Sequence, residues 1–178
     1  IADKPTENVT NGMVITYVNH STFLIQVAGV NILTDPVWSD RVSPVSFAGP
    51  KRYRPAGVRF EDLPRIDLIL ISHNHYDHLD LKTLRQINEK YEPRVIAPLG
   101  VGRLLNDNGI NKVFELNWWE DKVMDSDITV HSVQAQHFSA RGLFDRDKTF
   151  WNGYVIETPV GDVYFAGDTG YGPFFKEI

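Results

Sequence analysis

Eight residues, Arg65-Ile-Asp-Leu-Ile-Leu-Ile-Ser72, form a nearly unbroken apolar run, and the next six are His73-Asn-His75-Tyr-Asp77-His78. A run rich in β-branched residues and lacking alternation reads as a strand buried on both faces, so layers must lie above and below it. Polar residues begin abruptly at its carboxyl end and hold three of the six histidines in the chain. His73 and His75 are two apart, so in extended backbone they project to the same side and can grip one ion together. Asp77 and His78 come after the chain has turned, at the start of a helix expected over 79–90, where neighbours point about 100° apart. One short loop therefore feeds two adjacent metal positions, with His73 and His75 at one and Asp77 and His78 at the other.

The chain has no cysteine, which excludes disulfides and thiolate zinc sites and leaves histidine and carboxylate as the metal ligands. A single loop cannot complete either coordination sphere, so more ligands are expected at later strand ends. Asp127–Gln136 alternates and runs into His137, with Arg141 four residues on. Gly161–Ala166 is an apolar strand that runs into Asp168 between glycines, which permit a sharp turn and close backbone approach. His131 shares strand parity with His137, but six residues of extended chain separate them by about 20 Å, which removes it from the same site.

The segments HNHYDH at 73–78, Gln136-His137-x-x-x-Arg141 and Phe165-Ala-Gly-Asp168-Thr-Gly resemble the successive ligand motifs of the metallo-β-lactamase fold superfamily. Tyr17–Ile25, Leu33–Ser39, Gly49–Arg54 and Leu116–Glu120 narrow the resemblance to a branch. That branch contains N-acylphosphatidylethanolamine-hydrolysing phospholipase D and bacterial RomA-like proteins. The resemblance implies an α/β fold, a four-layer αββα sandwich with a dinuclear zinc site at one edge of its sheets. His73, His75 and His137 would hold one metal, Asp77 and His78 the other, and Asp168 would bridge them. The final histidine ligand of the family has no counterpart in the ten residues after Asp168. Residues 1–178 are therefore expected to be one metallo-hydrolase domain lacking its C-terminal part. Two zinc ions are expected per complete domain, with manganese or iron as alternatives on the same ligand types.

Two divalent ions about 3.5–4 Å apart can share a hydroxide and clamp the attacking and leaving oxygens of a phosphoryl centre. Asp77 would orient that nucleophile or take its proton. Asp35, after an early strand, suits an acceptor that fixes a ligand imidazole. Arg141 suits an anion clamp on substrate, because guanidinium is a planar bidentate donor, and His20 suits a place facing the cleft. The expected activity is phosphodiester hydrolysis on phospholipid-like or other organic substrates. A lactonase of the same fold and a metal-binding module without activity are the alternatives.

At 178 residues and 42% hydrophobic content, the chain can bury about 70% of its unfolded surface, enough for one core. A net charge of −5 argues against a nucleic-acid partner. The basic segment Pro50-Lys-Arg-Tyr-Arg-Pro55 reads either as a solvated loop or as a phosphate contact at the cleft mouth. No 18-residue apolar stretch exists, so a lipid substrate calls for peripheral membrane contact, with a cytoplasmic or membrane-surface location and export left open. Strands are expected at 13–18, 22–27, 30–34, 66–72, 94–97, 112–116, 127–136, 153–158 and 162–166, with a short helix at 100–107. The Pro- and Gly-rich region 36–64 is expected to be a long loop with the potential of a substrate lid.

Overall fold

The computed structural model of the protein describes residues 4–45, 47–125 and 127–178. β1 (Met13–Asn19), β2 (Thr22–Val27) and β3 (Val30–Thr34) form an antiparallel meander. The Ala28–Gly29 turn between β2 and β3 has φ of 50° and 79°, the primed geometry that closes a two-residue hairpin. β4 (Leu68–Leu70), β5 (Arg94–Pro98) and β6 (Val113–Leu116) add in parallel beyond β3, and the six strands lie in chain order. α1 (Leu81–Tyr91) and α2 (Gly102–Asn106) make the crossovers from β4 to β5 and from β5 to β6. A second sheet, in the order β10–β9–β8–β7, is antiparallel throughout and contains β7 (Asp121–Asp125), β8 (Ile128–Gln134), β9 (Asn152–Glu157) and β10 (Val163–Phe165).

Burial on both sides of the first sheet explains its unbroken apolar strands. Leu33, Ile69, Val95 and Ala97 pack outward under Leu84, Ile87 and Leu105 of the two helices. Ile32, Leu68, Leu70 and Ile96 pack inward against Ile128, Val130, Tyr154 and Ile156 of the second sheet. Buried Tyr154 also donates its hydroxyl to Ile71 O at 2.8 Å, a polar link across the seam. Both α-helices among the described residues lie on the first sheet, so the layers run helix, sheet, sheet. The outer helical layer of the expected four-layer sandwich has no helix among the described residues.

Several expectations shift in detail. β4 is three residues long, although Asp67 and Ile71 continue its ladder through bonds to Asn31 O and Ile96 O. α1 starts at Leu81 because Asp80 caps it, its carboxylate accepting from Lys82 N and Thr83 N. Asp77 and His78 therefore sit in a turn before the helix, closed by bonds from His78 N and Leu79 N to His75 O. β7 is a strand that sequence reasoning did not anticipate. The region 36–64 is pinned at many points and is a wall rather than a free flap. Asp80 accepts from Ser39 N at 2.9 Å, and Trp38 Nε1 donates to Val58 O at 3.0 Å. An isolated bridge also joins Arg41 to Lys51.

Candidate metal centre

Topology collects the chemistry-bearing residues at one end of the sandwich. β3 and β4 are parallel neighbours, so Asp35 after β3 and Ser72–His78 after β4 emerge at the same edge. β8 and β10 both pair antiparallel with β9, so His137 and Asp168 follow strands that run in one direction. The two sheets are stitched there by a bond from Asn152 N to Ser72 O at 2.8 Å. Gly167 has φ of 59°, and a Cβ on it would lie 2.6 Å from Ser72 Cβ, so glycine is what lets Asp168 approach the loop. The His137 and Asp168 segments are tied by bonds from Gln136 N to Thr169 Oγ1 and from Gly170 N to Gln136 O, both 2.8 Å.

Among the described residues three groups of ligand atoms converge; in one of them, Asp35 with His73 and His78, the Asp35 oxygens are taken up by hydrogen bonds with Ser72 and His78, which leaves two open groups. In the first, His75 Nδ1 lies 2.8 Å from His73 Nε2 and 3.2 Å from His137 Nε2. An imidazole nitrogen carries one proton or one in-plane lone pair, so only one of these approaches can be a good hydrogen bond. A cation satisfies all three nitrogens together. Tetrahedral ligands at about 2.0–2.2 Å from an ion stand about 3.3–3.6 Å from one another, close to the spacing found.

In the second group, His20 Nε2 is 3.1 Å from His78 Nε2 and 3.2 Å from Asp77 Oδ2, and the latter two are 3.9 Å apart. His20 adopts φ of 41° in the β1–β2 turn, a left-handed conformation unusual outside glycine, which turns its ring into the site. Asp168 Oδ2 stands between the groups, 3.3 Å from His78 Nε2 and 3.7 Å from His137 Nε2.

The electrostatics fit a cation. Burial pulls His73 down to about 2, reinforced by the neighbouring imidazoles, so its rings are neutral and free to ligate. Burial also opposes charge on His78, yet its bonds to Asp168 and Asp35 outweigh this and raise it to about 10. With Nδ1 bonded to Asp35 Oδ2 at 2.7 Å, the positive charge is demanded at Nε2, the atom facing Asp168. A second proton or a metal ion meets that demand. The hydrogen bond from His20 holds the Asp77 carboxyl well below the usual carboxylate range, and the bond from His78 lowers Asp168 to about 2.

Asp35 is fully buried and accepts from Ser72 N (2.7 Å) and Ser72 Oγ (2.5 Å) as well as from His78. The bond with His78 Nδ1 is the contact through which it would fix that imidazole. Ser72, which also lies 2.9 Å from His73 Nδ1, escaped sequence reasoning because a serine in a strand end carries no signal of its own. Arg141 Nη1 donates to Asn74 O and Leu79 O, both at 2.8 Å, and the guanidinium stacks 3.9 Å over the Tyr76 ring. Nη1 thus braces the metal loop, a role the anion-clamp expectation did not include, and the residue also lines a cleft. His20 lines a cleft, as expected of it, and its Nε2 also converges with Asp77 and His78 in the second group. His131 pairs with Glu157 at 3.0 Å across β8 and β9, away from the site. Trp118 packs on Phe150 and Trp151 and donates to Trp151 O.

Two clefts border the loop. One of about 1090 Å³ is lined by Tyr76, Asp80, Arg141 and Asp145 on the far side of the braced loop. The other, about 550 Å³, opens directly onto His20 and Asp77. The second has access to the ligand atoms and is the candidate substrate cleft.

Known proteins share the sequence pattern and the fold. A family model described as a β-lactamase superfamily domain matches residues 30–178. The N-acyl-phosphatidylethanolamine-hydrolyzing phospholipase D 1 of Caenorhabditis elegans is 39% identical over 98% of this chain and 54% of its own length. Igni18, a metallo hydrolase from Ignicoccus hospitalis, shares the fold at a TM-score of 0.68 and 23% identity, over 90% of this chain and 63% of that one. CmlA, a diiron β-hydroxylase from Streptomyces venezuelae, gives a TM-score of 0.67 at 26% identity, over 93% of this chain and 31% of that one. The chain spans about half the length of the curated relatives it matches. The chain belongs to the β-lactamase superfamily.

Proposed function

We propose that this chain carries a dinuclear metal centre, most suited to zinc, that hydrolyses organic phosphodiesters of the phospholipid type. The observation that carries the reading is the position of Asp168 Oδ2, within 3.3 Å of His78 Nε2 and 3.7 Å of His137 Nε2, between two converging ligand groups. His73, His75 and His137 would hold one ion. Asp77, His78 and, in addition, His20 would hold the other, with Asp168 shared. A bound ion pair supplies Lewis acidity toward a phosphoryl oxygen and a water acidified to near neutrality. Asp35 keeps the His78 proton on Nδ1 and its lone pair on Nε2. Asp77, ionised and 42% exposed toward the cleft, offers Oδ1 to orient the attacking water and accept its proton.

The substrate class follows the Caenorhabditis elegans relative, whose name states hydrolysis of N-acyl-phosphatidylethanolamine. No helix among the described residues is long and apolar enough to cross a membrane. Lipid access at a bilayer surface is supported by apolar tips on two loops, Phe47 at 82% exposure and Leu143 and Phe144 at 92% and 86%. The test is elemental analysis of the purified protein together with cleavage of bis-p-nitrophenyl phosphate and of N-acyl-phosphatidylethanolamine vesicles, with and without chelator. Two ions per chain and chelator-sensitive diester cleavage are expected. Two ions with cleavage of lactones only would replace the reading with the lactonase, and diiron content would reassign the metal.

A further inference from the structure

The cleft that opens on His20 and Asp77 is lined on its other flank by Lys51, Tyr53 and Arg54 of the segment Pro50–Pro55. That segment is fixed in place. Val42 N donates to Pro50 O at 3.2 Å and Arg52 N to Asp40 O at 2.7 Å on either side of the Arg41–Lys51 bridge. Gly57 N then donates to Val18 O at 2.7 Å, and a Cβ on Gly57 would come within 2.9 Å of Tyr17 O, so the chain lies directly against β1. β1 leads into the turn that carries His20, which sets the basic segment beside the second ligand group.

Its three cations are used differently. Arg52 Nη2 donates to Val37 O at 2.9 Å and to Ser39 O at 3.3 Å, so this guanidinium is structural. Lys51 and Arg54 are exposed, and neither side chain has a hydrogen-bond or ion-pair partner among the described residues. Two free cations on a pinned backbone, facing a metal-ligand group, form a local positive field in a chain of net charge −5. Two carboxylates, Asp40 and Asp77, line the same cleft; Asp77 belongs to the second ligand group, where a bound cation would offset its charge. Tyr53 and Tyr17, 95% and 59% exposed, add aromatic surface beside the charges.

We infer that Lys51 and Arg54 are the specificity determinants of this cleft, selecting anionic substrates with an organic arm that lies along Tyr17 and Tyr53. This inference rests on the hydrolase reading above and adds what the site discriminates by. Neutral esters and lactones gain nothing from the pair, whereas a phosphodiester or a second anionic group on the leaving arm does.

The test compares the metal-loaded protein with the double variant Lys51→Ala, Arg54→Ala, checking metal content in both. With bis-p-nitrophenyl phosphate, KM should rise about tenfold or more while kcat moves by less than about twofold, and the salt dependence of kcat/KM should flatten. Preference for the diester over neutral p-nitrophenyl acetate should fall by a similar factor. An unchanged KM and salt dependence would overturn the inference. Should the parent protein cleave no phosphodiester, the phosphodiesterase reading fails, and the pair is judged by calorimetric binding of phenylphosphonate. Binding weakened about tenfold in the double variant at equal metal content supports the pair, and equal affinity overturns it.

Discussion

Replacing Asp35 with asparagine probes the centre through a carboxylate whose oxygens are hydrogen-bonded to Ser72 and His78. The carboxylate accepts three bonds in a fully buried setting, from Ser72 N, Ser72 Oγ and His78 Nδ1. An amide of the same shape keeps its oxygen on Ser72 N but turns an NH₂ toward Ser72 Oγ and His78 Nδ1. Serine can adapt by accepting, since its hydroxyl rotates. His78 cannot adapt without cost, because receiving the amide proton at Nδ1 moves its own proton to Nε2, the atom that faces Asp168 and His20. Groups that fix a ligand imidazole in this way are worth about 10- to 100-fold in metal affinity, or about 1.4–2.7 kcal/mol. Losing a charge-assisted bond in the core should cost a further fraction of about 1.5–3 kcal/mol in folding. Asp35→Asn is expected to retain one ion on His73, His75 and His137 and to release the other at chelator concentrations that spare the parent. Elemental analysis after graded chelation reads this directly. Two ions held with parental affinity would refute the tautomer argument.

Three further outcomes are expected. Arg141→Ala should destabilise the fold by about 2–4 kcal/mol in urea unfolding and loosen metal, because two buried carbonyls lose a charged donor; Arg141→Lys should recover little of this, lacking the planar fork, whereas a pure KM effect would favour the anion-clamp idea. Gly167→Ala should cost more than about 1 kcal/mol and lower metal content, since the new methyl meets Ser72 at a left-handed φ; a wild-type unfolding midpoint would contradict the close-approach argument. Asp80→Asn should lose about 1–3 kcal/mol at neutral pH, as Ser39 N and Trp38 N then face an amide donor. Burial opposes ionisation of Asp80, but bonds from Thr83 and Ser39 outweigh it and lower its pKa, so its contribution is present above about pH 4. The contribution fades as pH falls through the folded-state value, so the gap between parent and variant should close in acid; a gap constant down to pH 2 would exclude this assignment.

The legible parts of the molecule are those whose reason is local. The strands of the meander β1–β3 were readable at 13–18, 22–27 and 30–34, and the ligand loop from its histidine density. His137 was legible as the end of an alternating segment and Asp168 as the end of an apolar one. β7 was not, because Asp-Lys-Val-Met-Asp offers little hydrophobic pattern. The strand exists through its pairing with β8, and Val123 on it stays 62% exposed. The bracing role of Arg141 was not legible because its partners are backbone carbonyls more than sixty residues away, which no residue type announces. His20 was ambiguous for a related reason. Only the left-handed turn at 20, set by the β1–β2 pairing, decides which way its ring faces.

The candidate centre draws on loops from both sheets, with His75 and His137 separated by 62 positions along the chain. Neither sheet owns it, so the ligand geometry exists only when the two have docked through Tyr154, Ile128 and their neighbours. A bound ion is then a rivet through the seam. At a hundredfold excess over its dissociation constant it adds about 2.7 kcal/mol to the whole sandwich rather than to one loop. Metal supply and fold integrity become one variable, and chelation is expected to loosen the docking of the sheets before either sheet melts.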